Sequence, residues 1–196
     1  MARARALGLQ AEAHPLFELR PLAWSLPEGP FEGLLLTSAN AVRLAGTLPD
    51  LPVHAVGQAT AAAAEAGGAT ILSIGTGGVD DLLAALDPAL RLLHLAGEER
   101  VLPTRPQPAV HAVSIYRAEP LPLPTPSSLS GKLLIVHSPA AGRRLSGLEG
   151  PRENIRIAAI SPAAAAACGT GWERVEAAEA PNDPALLSLA VQLCKD

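Results

Sequence analysis

Aromatic side chains are nearly absent from this chain: two Phe, two Trp and one Tyr make up 3% of its 196 residues. Platforms that stack nucleic-acid bases need aromatic faces, so this scarcity argues against that mode of binding. Basic charge is short as well. Lys and Arg total 15 against 19 Asp and Glu, a formal net charge of −4. No dense Lys/Arg block supplies the positive face that a phosphate backbone demands. The two cysteines, Cys168 and Cys194, have neither zinc-site nor disulfide-framework spacing, and packing accounts for both. No apolar run approaches the roughly 18 residues that cross a bilayer. The opening MARARALGLQ lacks the apolar stretch of a signal peptide. The expectation is a cytoplasmic protein with no nucleic-acid and no membrane partner.

The common catalytic fingerprints are missing too. There is no G-x-G-x-x-G, no P-loop and no G-x-S-x-G. The five histidines, His14, His54, His94, His111 and His137, are scattered through strand-like runs without metal spacing. They read as structural, and no metal site is expected. No nucleophile–base pair stands out, so an enzyme built from this sequence would work by positioning and charge placement.

What the chain has is apolar residues, 48% of the total, enough for one core or two modest ones. They fall in short β-type runs alternating with Ala/Leu-rich helical runs. Strands are expected at 11–19, 33–37, 53–56, 69–73, 91–95, 109–115, 132–136, 155–160 and 173–177. Helices are expected at 1–8, 39–46, 58–67, 79–86, 139–146, 162–168 and 183–194. The stretch 98–108, with Pro103, Pro106 and Pro108, reads as loop. This alternation is the mark of parallel sheets with helices on their faces, an α/β fold.

An internal repeat divides the chain. LLLTSANAVRLAG at 34–46 matches LIVHSPAAGRRLSG at 134–147. VHAVGQATAAAAEAG at 53–67 matches IAAISPAAAAACG at 157–169, and DDLLAAL at 80–86 matches DPALLSLAV at 183–191. Two similar lobes follow, each a parallel sheet flanked by helices. Proline-rich segments at 21–30 and 118–128 bracket the first copy and read as semi-rigid linkers. Residues 1–19 have too few partners to make a sheet alone and are expected to pair with the C-terminal copy. The first lobe is therefore assigned to 1–28 plus 125–196. The second, at 31–118, is inserted into it, joined by two linkers.

One device recurs four times: a strand ending in Ser, Thr or Gly that feeds a helix start. The instances are Thr37-Ser38-Ala39-Asn40, Gly57-Gln58-Ala59-Thr60, Ser138-Pro139-Ala140-Ala141 and Ser161-Pro162-Ala163-Ala164. A single Ser or Thr there is usually just a helix cap. Four in two duplicated lobes would give a donor-rich concave surface, since helix starts offer free N–H groups. In parallel sheets such turns lie at the carboxyl edge, where ligands bind. Two facing lobes would aim them into one cleft. Tyr116, the lone tyrosine, ends the last strand of the first copy. A phenol there can donate a proton or simply bridge lobe and linker.

LLLTSANAV at 34–42, VGQATA at 56–61, IYRAE at 115–119 and AAISPAAA at 158–165, in that order and spacing, resemble the uroporphyrinogen-III synthase family. The resemblance implies a two-lobed fold, hydroxymethylbilane as substrate, and no metal or organic cofactor. It implies a reaction that loses water, inverts the last pyrrole ring and closes the macrocycle. A monomer is expected. Position by position, Thr60 falls on the family's cleft threonine and Tyr116 on the tyrosine proposed to assist loss of the hydroxyl. Ser38 and Ser138 fall on paired strand-end serines, and Arg156 falls where a basic residue precedes the AAIxP strand end. Thr37, Ala39, Gly57, Gln58, Gly97, Ala140, Ser161 and Ala163 complete the expected substrate-binding set. Where the family usually reads G-P-T-T-A, this chain has Ser161-Pro162-Ala163-Ala164-Ala165. The family's first strand, with its Thr-Arg-Pro end, is missing before the opening helix. Both departures keep open a second reading, a non-catalytic or degenerate homologue that binds a polycarboxylate ligand.

Overall fold

A computed structural model describes residues 1–100, 102–104 and 107–195. Of the loop expected at 98–108, Val101, Arg105 and Pro106 lie outside the described residues. In chain order the elements are α1 (Ala2–Ala6), β1 (Phe17–Pro21), β2 (Gly33–Leu36), α2 (Ala39–Leu44), β3 (Val53–Val56), α3 (Gln58–Ala66), β4 (Ile71–Gly75) and α4 (Val79–Ala84). There follow β5 (Arg91–Gly97), β6 (Ala109–Pro120), α5 (Pro126–Leu129), β7 (Leu133–Val136), α6 (Pro139–Ser146), β8 (Arg156–Ala159), α7 (Pro162–Ala167), β9 (Arg174–Ala177) and α8 (Asp183–Leu193). The fold is α/β, with parallel sheets flanked by helices.

Two compact units divide the chain. A central unit holds Phe17–Glu119, and a terminal unit holds Met1–Leu16 with Pro120–Asp196. Residues 17–28, expected in the first lobe, thus lie in the central unit.

The central unit is a six-stranded sheet in the order β1-β6-β5-β2-β3-β4. β2, β3, β4, β5 and β6 run parallel, with Leu34 opposite Val53 and Leu93. Side chains alternate between the faces of a strand, and both faces of this sheet are covered. Leu34, Leu36, Leu93 and Leu95 pack with Ala41, Ala45, Ala61 and Ala64 of the α2–α3 side. Leu35 and Leu92 pack with Leu82 and Leu83 of α4. A strand buried on both sides reads as a continuous apolar run, which is what LLL at 34–36 is.

The terminal unit carries a smaller parallel sheet, β7-β8-β9. Ile157 and Ala159 pack with Leu145 of α6, Ala164 of α7 and Cys168 just past the end of α7. Ala158 faces Leu186, Leu189, Ala190 and Leu193 of α8. Gly142 lets α6 and α7 approach closely: a Cβ there would sit 2.7 Å from the Ala164 carbonyl oxygen and 3.0 Å from Ala167 Cβ. β7 is an edge strand. Beside it lies a hollow of about 1100 Å³, lined by 9–16, Leu133, Leu134, Ile135 and Leu187 among others.

The N-terminal expectation needs correcting. Only Phe17–Pro21 of the run around 11–19 is strand, and it joins the six-stranded sheet beside β6 rather than the C-terminal copy. Pro15 has no N–H to give a ladder, which defers the strand until after it. Leu22 N donates to Ile115 O and Leu121 N to Leu16 O, the opposed numbering of an antiparallel pair. With that partner, β6 continues past Tyr116 to Pro120, so the proline-rich spacer begins inside a strand. Within it, Pro126 opens α5.

Candidate functional site

In the central unit the expected residues gather at one sheet edge. Parallel strands end together: Leu35 pairs with His94, Leu36 with Ala55, Val56 with Gly75, and Gly97 with Tyr116. The residues just beyond β2, β3 and β5 therefore share the carboxyl edge with Tyr116. Thr37 and Ser38 follow β2, and Ser38 Oγ accepts from Asn40 N at 3.1 Å, capping α2. Ala39 is the half-buried first residue of that helix. Gly57 follows β3 with φ +83°, a backbone setting that glycine adopts without strain. A Cβ there would meet nothing within 4 Å, so the turn stays open. Gln58 is exposed at the start of α3, while Thr60 is buried, 5% exposed.

Gly97 and Tyr116 form a contact of their own. A Cβ on Gly97 would lie 2.9 Å from the Tyr116 ring and 3.1 Å from its hydroxyl. Glycine is what lets the ring come this close to the strand end. Tyr116 is half-buried against the α2–α3 side core.

The sequence reading missed two neighbours of this edge. His94, taken there as structural, is 1% exposed, and its Nε2 lies 3.0 Å from Thr37 Oγ1. Burial first, and the Arg100 guanidinium second, pull its pKa down to about 4, so the ring is neutral at ordinary pH. Arg100 is half-buried. Its Nη1 donates to Ser114 Oγ at 2.9 Å and to the Gly97 carbonyl at 3.1 Å. Strand alternation was the available signal for His94, since it shares a face with Leu92. For Arg100 it was a cation three residues beyond a strand-ending glycine. His54, by contrast, is a cross-strand residue: Nδ1 meets Ser73 Oγ at 2.8 Å, and burial lowers its pKa.

In the terminal unit Ser138 and Ser161 follow β7 and β8 at the carboxyl edge of the three-stranded sheet. Ser138 Oγ accepts from Ala141 N at 3.1 Å, and Ser161 Oγ accepts from Ala164 N at 3.3 Å. Ala140 is half-buried and Ala163 exposed. Asn182 caps α8 beyond β9 in the same way, accepting from Ala185 N at 3.0 Å. Arg156 is not among them. It opens β8 at the opposite end of the strand, donates to the Leu193 carbonyl and lies 3.9 Å from Glu173. A cation on the last carbonyls of a helix is a structural tie. The AAIxP motif placed it by sequence nearness, but a four-residue strand separates it from Ser161.

Helix length also revises the anion argument. α2 and α7 have six residues each, too short to build a full macrodipole.

No curated protein matches the chain. Solved structures share its fold, two of them as follows. A uroporphyrinogen-III synthetase from Helicobacter pylori has a TM-score of 0.69 at 20% identity, covering 91% of each chain. A mutant uroporphyrinogen III synthase from Thermus thermophilus has a TM-score of 0.50 at 18% identity, covering 100% of this chain and 94% of the other. A family model described as uroporphyrinogen-III synthase HemD matches residues 1–188, and over that span the chain belongs to the uroporphyrinogen-III synthase family.

Proposed function

We propose that this chain converts hydroxymethylbilane to uroporphyrinogen III. In that reaction water leaves the terminal hydroxymethyl carbon, the last pyrrole ring is inverted and the macrocycle closes. The two compact units are the lobes of this enzyme, the central one inserted into the terminal one through two linkers. It acts as a monomer in the cytoplasm.

The observation that carries this reading is the carboxyl edge of the six-stranded sheet, which collects Thr37, Ser38, Gly57, Gly97 and Tyr116. Small residues there let a bulky ligand reach backbone donors. The chain is net acidic, so global charge does not draw in a polycarboxylate; local donors must hold it. Each hydrogen bond to a charged group contributes about 1.5–3 kcal/mol, and a handful outweighs a mild repulsion that salt screens beyond about 10 Å. The bilane closes unaided to the uninverted isomer. The protein's task is to favour the strained geometry that leads to the other one and to stabilise charge as water departs. Tyr116 is the proton donor to the leaving hydroxyl, and Ser138, Ala140, Ser161 and Ala163 hold side-chain carboxylates through turn donors.

The test is a coupled assay. Freshly made hydroxymethylbilane is incubated with the protein, and the oxidised products are separated as isomers I and III. Isomer III is expected in excess; isomer I alone would reject the catalytic reading.

A further inference from the structure

Behind the edge just described lies a small polar set with two unfilled hydrogen-bonding positions. His94 sits on β5 on the face that α4 covers, and its ring is almost wholly buried. Nε2 meets Thr37 Oγ1 at 3.0 Å, whereas Nδ1 is buried with no hydrogen-bond partner among the described residues. Arg100 is held by neutral oxygens, those of Gly97, Glu98 and Ser114. Its Nε is likewise buried without a partner, and no carboxylate pairs with the guanidinium among the described residues.

A neutral imidazole has two tautomers, and here they are not equivalent. With the proton on Nδ1, a buried N–H donor is stranded. With the proton on Nε2, the N–H is used on Thr37 and only a ring lone pair goes unsatisfied. Buried unpaired N–H donors are the rarer and costlier defect. The Nε2–H form has a consequence for Thr37. Its oxygen accepts from the histidine, so its own hydrogen must point elsewhere. Arg100 poses a related problem, since a half-buried cation without a counter-charge favours an anion beside it.

We propose that His94 donates its Nε2 proton to Thr37 Oγ1, and that the Thr37 hydroxyl hydrogen thus released and the Arg100 guanidinium together receive one carboxylate of the ligand. This rests on the polycarboxylate part of the proposed function. His94 is a positioning residue, acting only through Thr37, while Thr37 and Arg100 touch the carboxylate. The site differs from the backbone-donor turns in carrying a full positive charge, so it selects for a carboxylate over a neutral substituent.

Two readouts test it, neither needing turnover. Nitrogen-15 NMR of the full chain labelled at histidine is expected to show His94 Nδ1 in the unprotonated range, with the proton coupled to Nε2. A protonated Nδ1 overturns the proposal. Fluorescence titration with uroporphyrin III, a porphyrin bearing many carboxylates, is expected to show about tenfold weaker binding for Thr37→Val and for Arg100→Gln. Thr37→Ser should restore wild-type affinity. Unchanged affinity in either variant, or no uroporphyrin binding by the wild-type chain, overturns it. Absence of isomer III in the coupled assay would reject the reaction alone, because the tautomer and the titration are read independently.

Discussion

Ser38 and Ser138 occupy matching positions of the repeat and cap their helices alike, each accepting a backbone N–H at 3.1 Å. What stands behind them differs. Before Ser38 comes Thr37, braced by a buried histidine from the neighbouring strand β5. Before Ser138 comes His137, just past the end of β7, an edge strand among the described residues. Its side chain is 59% exposed, and its Nε2 lies 3.7 Å from Asp183, which Arg3 also approaches at 3.0 Å. Four residues further on, Val42 packs into the central core, where the other copy has Gly142, whose lack of a Cβ lets α6 lie close against α7. The duplicated parts are the strand–serine–helix turns, which need only backbone and a cap. The parts that diverged are the supports, which decide how much charge and rigidity each edge presents.

Four measurements would break or sharpen that contrast. The largest effect concerns the buried His94. Its folded pKa of about 4 lies below the ordinary 6.5, so the unfolded chain takes up a proton that the native chain refuses. Stability from this group is complete above about pH 6.5 and is lost as pH falls toward 4, by about 3 kcal/mol in all. Urea unfolding across that window should show the loss, and His94→Gln should flatten it. A wild-type profile equally flat would mean that the histidine is protonated in the fold.

Next, Tyr116→Phe should lower the rate of isomer III formation about a hundredfold with little change in KM. An unchanged rate would reduce Tyr116 to packing against Gly97. Gly142→Val, which copies the central unit's residue into the terminal one, should cost about 2 kcal/mol by forcing α6 from α7. The reverse change, Val42→Gly, should leave a gap rather than a clash, and comparing the two urea midpoints distinguishes them. Smallest, Ser38→Ala and Ser138→Ala should each cost about 1 kcal/mol. Equal losses would confirm that the caps are the conserved part of the repeat; a much larger loss at one would not.

The sequence pattern locates most elements within a residue or two. The strand at 53–56 and the helix at 139–146 match the structure residue for residue, because Pro, Gly and Ser punctuate both ends. The failures have physical causes. The strand around 11–19 was misplaced because periodicity does not name a partner, and its partner turned out to be β6. Arg156 opens a strand that the sequence already places at 155–160, so its nearness to Ser161 along the chain does not bring it to the carboxyl edge. His94 was dismissed because a histidine in an apolar run looks the same whether its ring meets leucine or a threonine hydroxyl. The candidate site was legible where it rests on turn chemistry and illegible where it rests on cross-strand pairing.

The open flank of β7 carries a consequence for exchange with solvent. In a parallel strand, neighbouring residues turn their backbone groups to opposite sides, so Lys132, Leu134 and Val136 address β8, as the bonds from Arg156 N to Lys132 O and from Ile160 N to Val136 O show. Leu133 and Ile135 direct theirs toward the hollow. Deuterium should therefore enter this strand in a two-residue rhythm, early at 133 and 135 and late at 134 and 136, while β2, flanked on both sides, keeps all its amide protons.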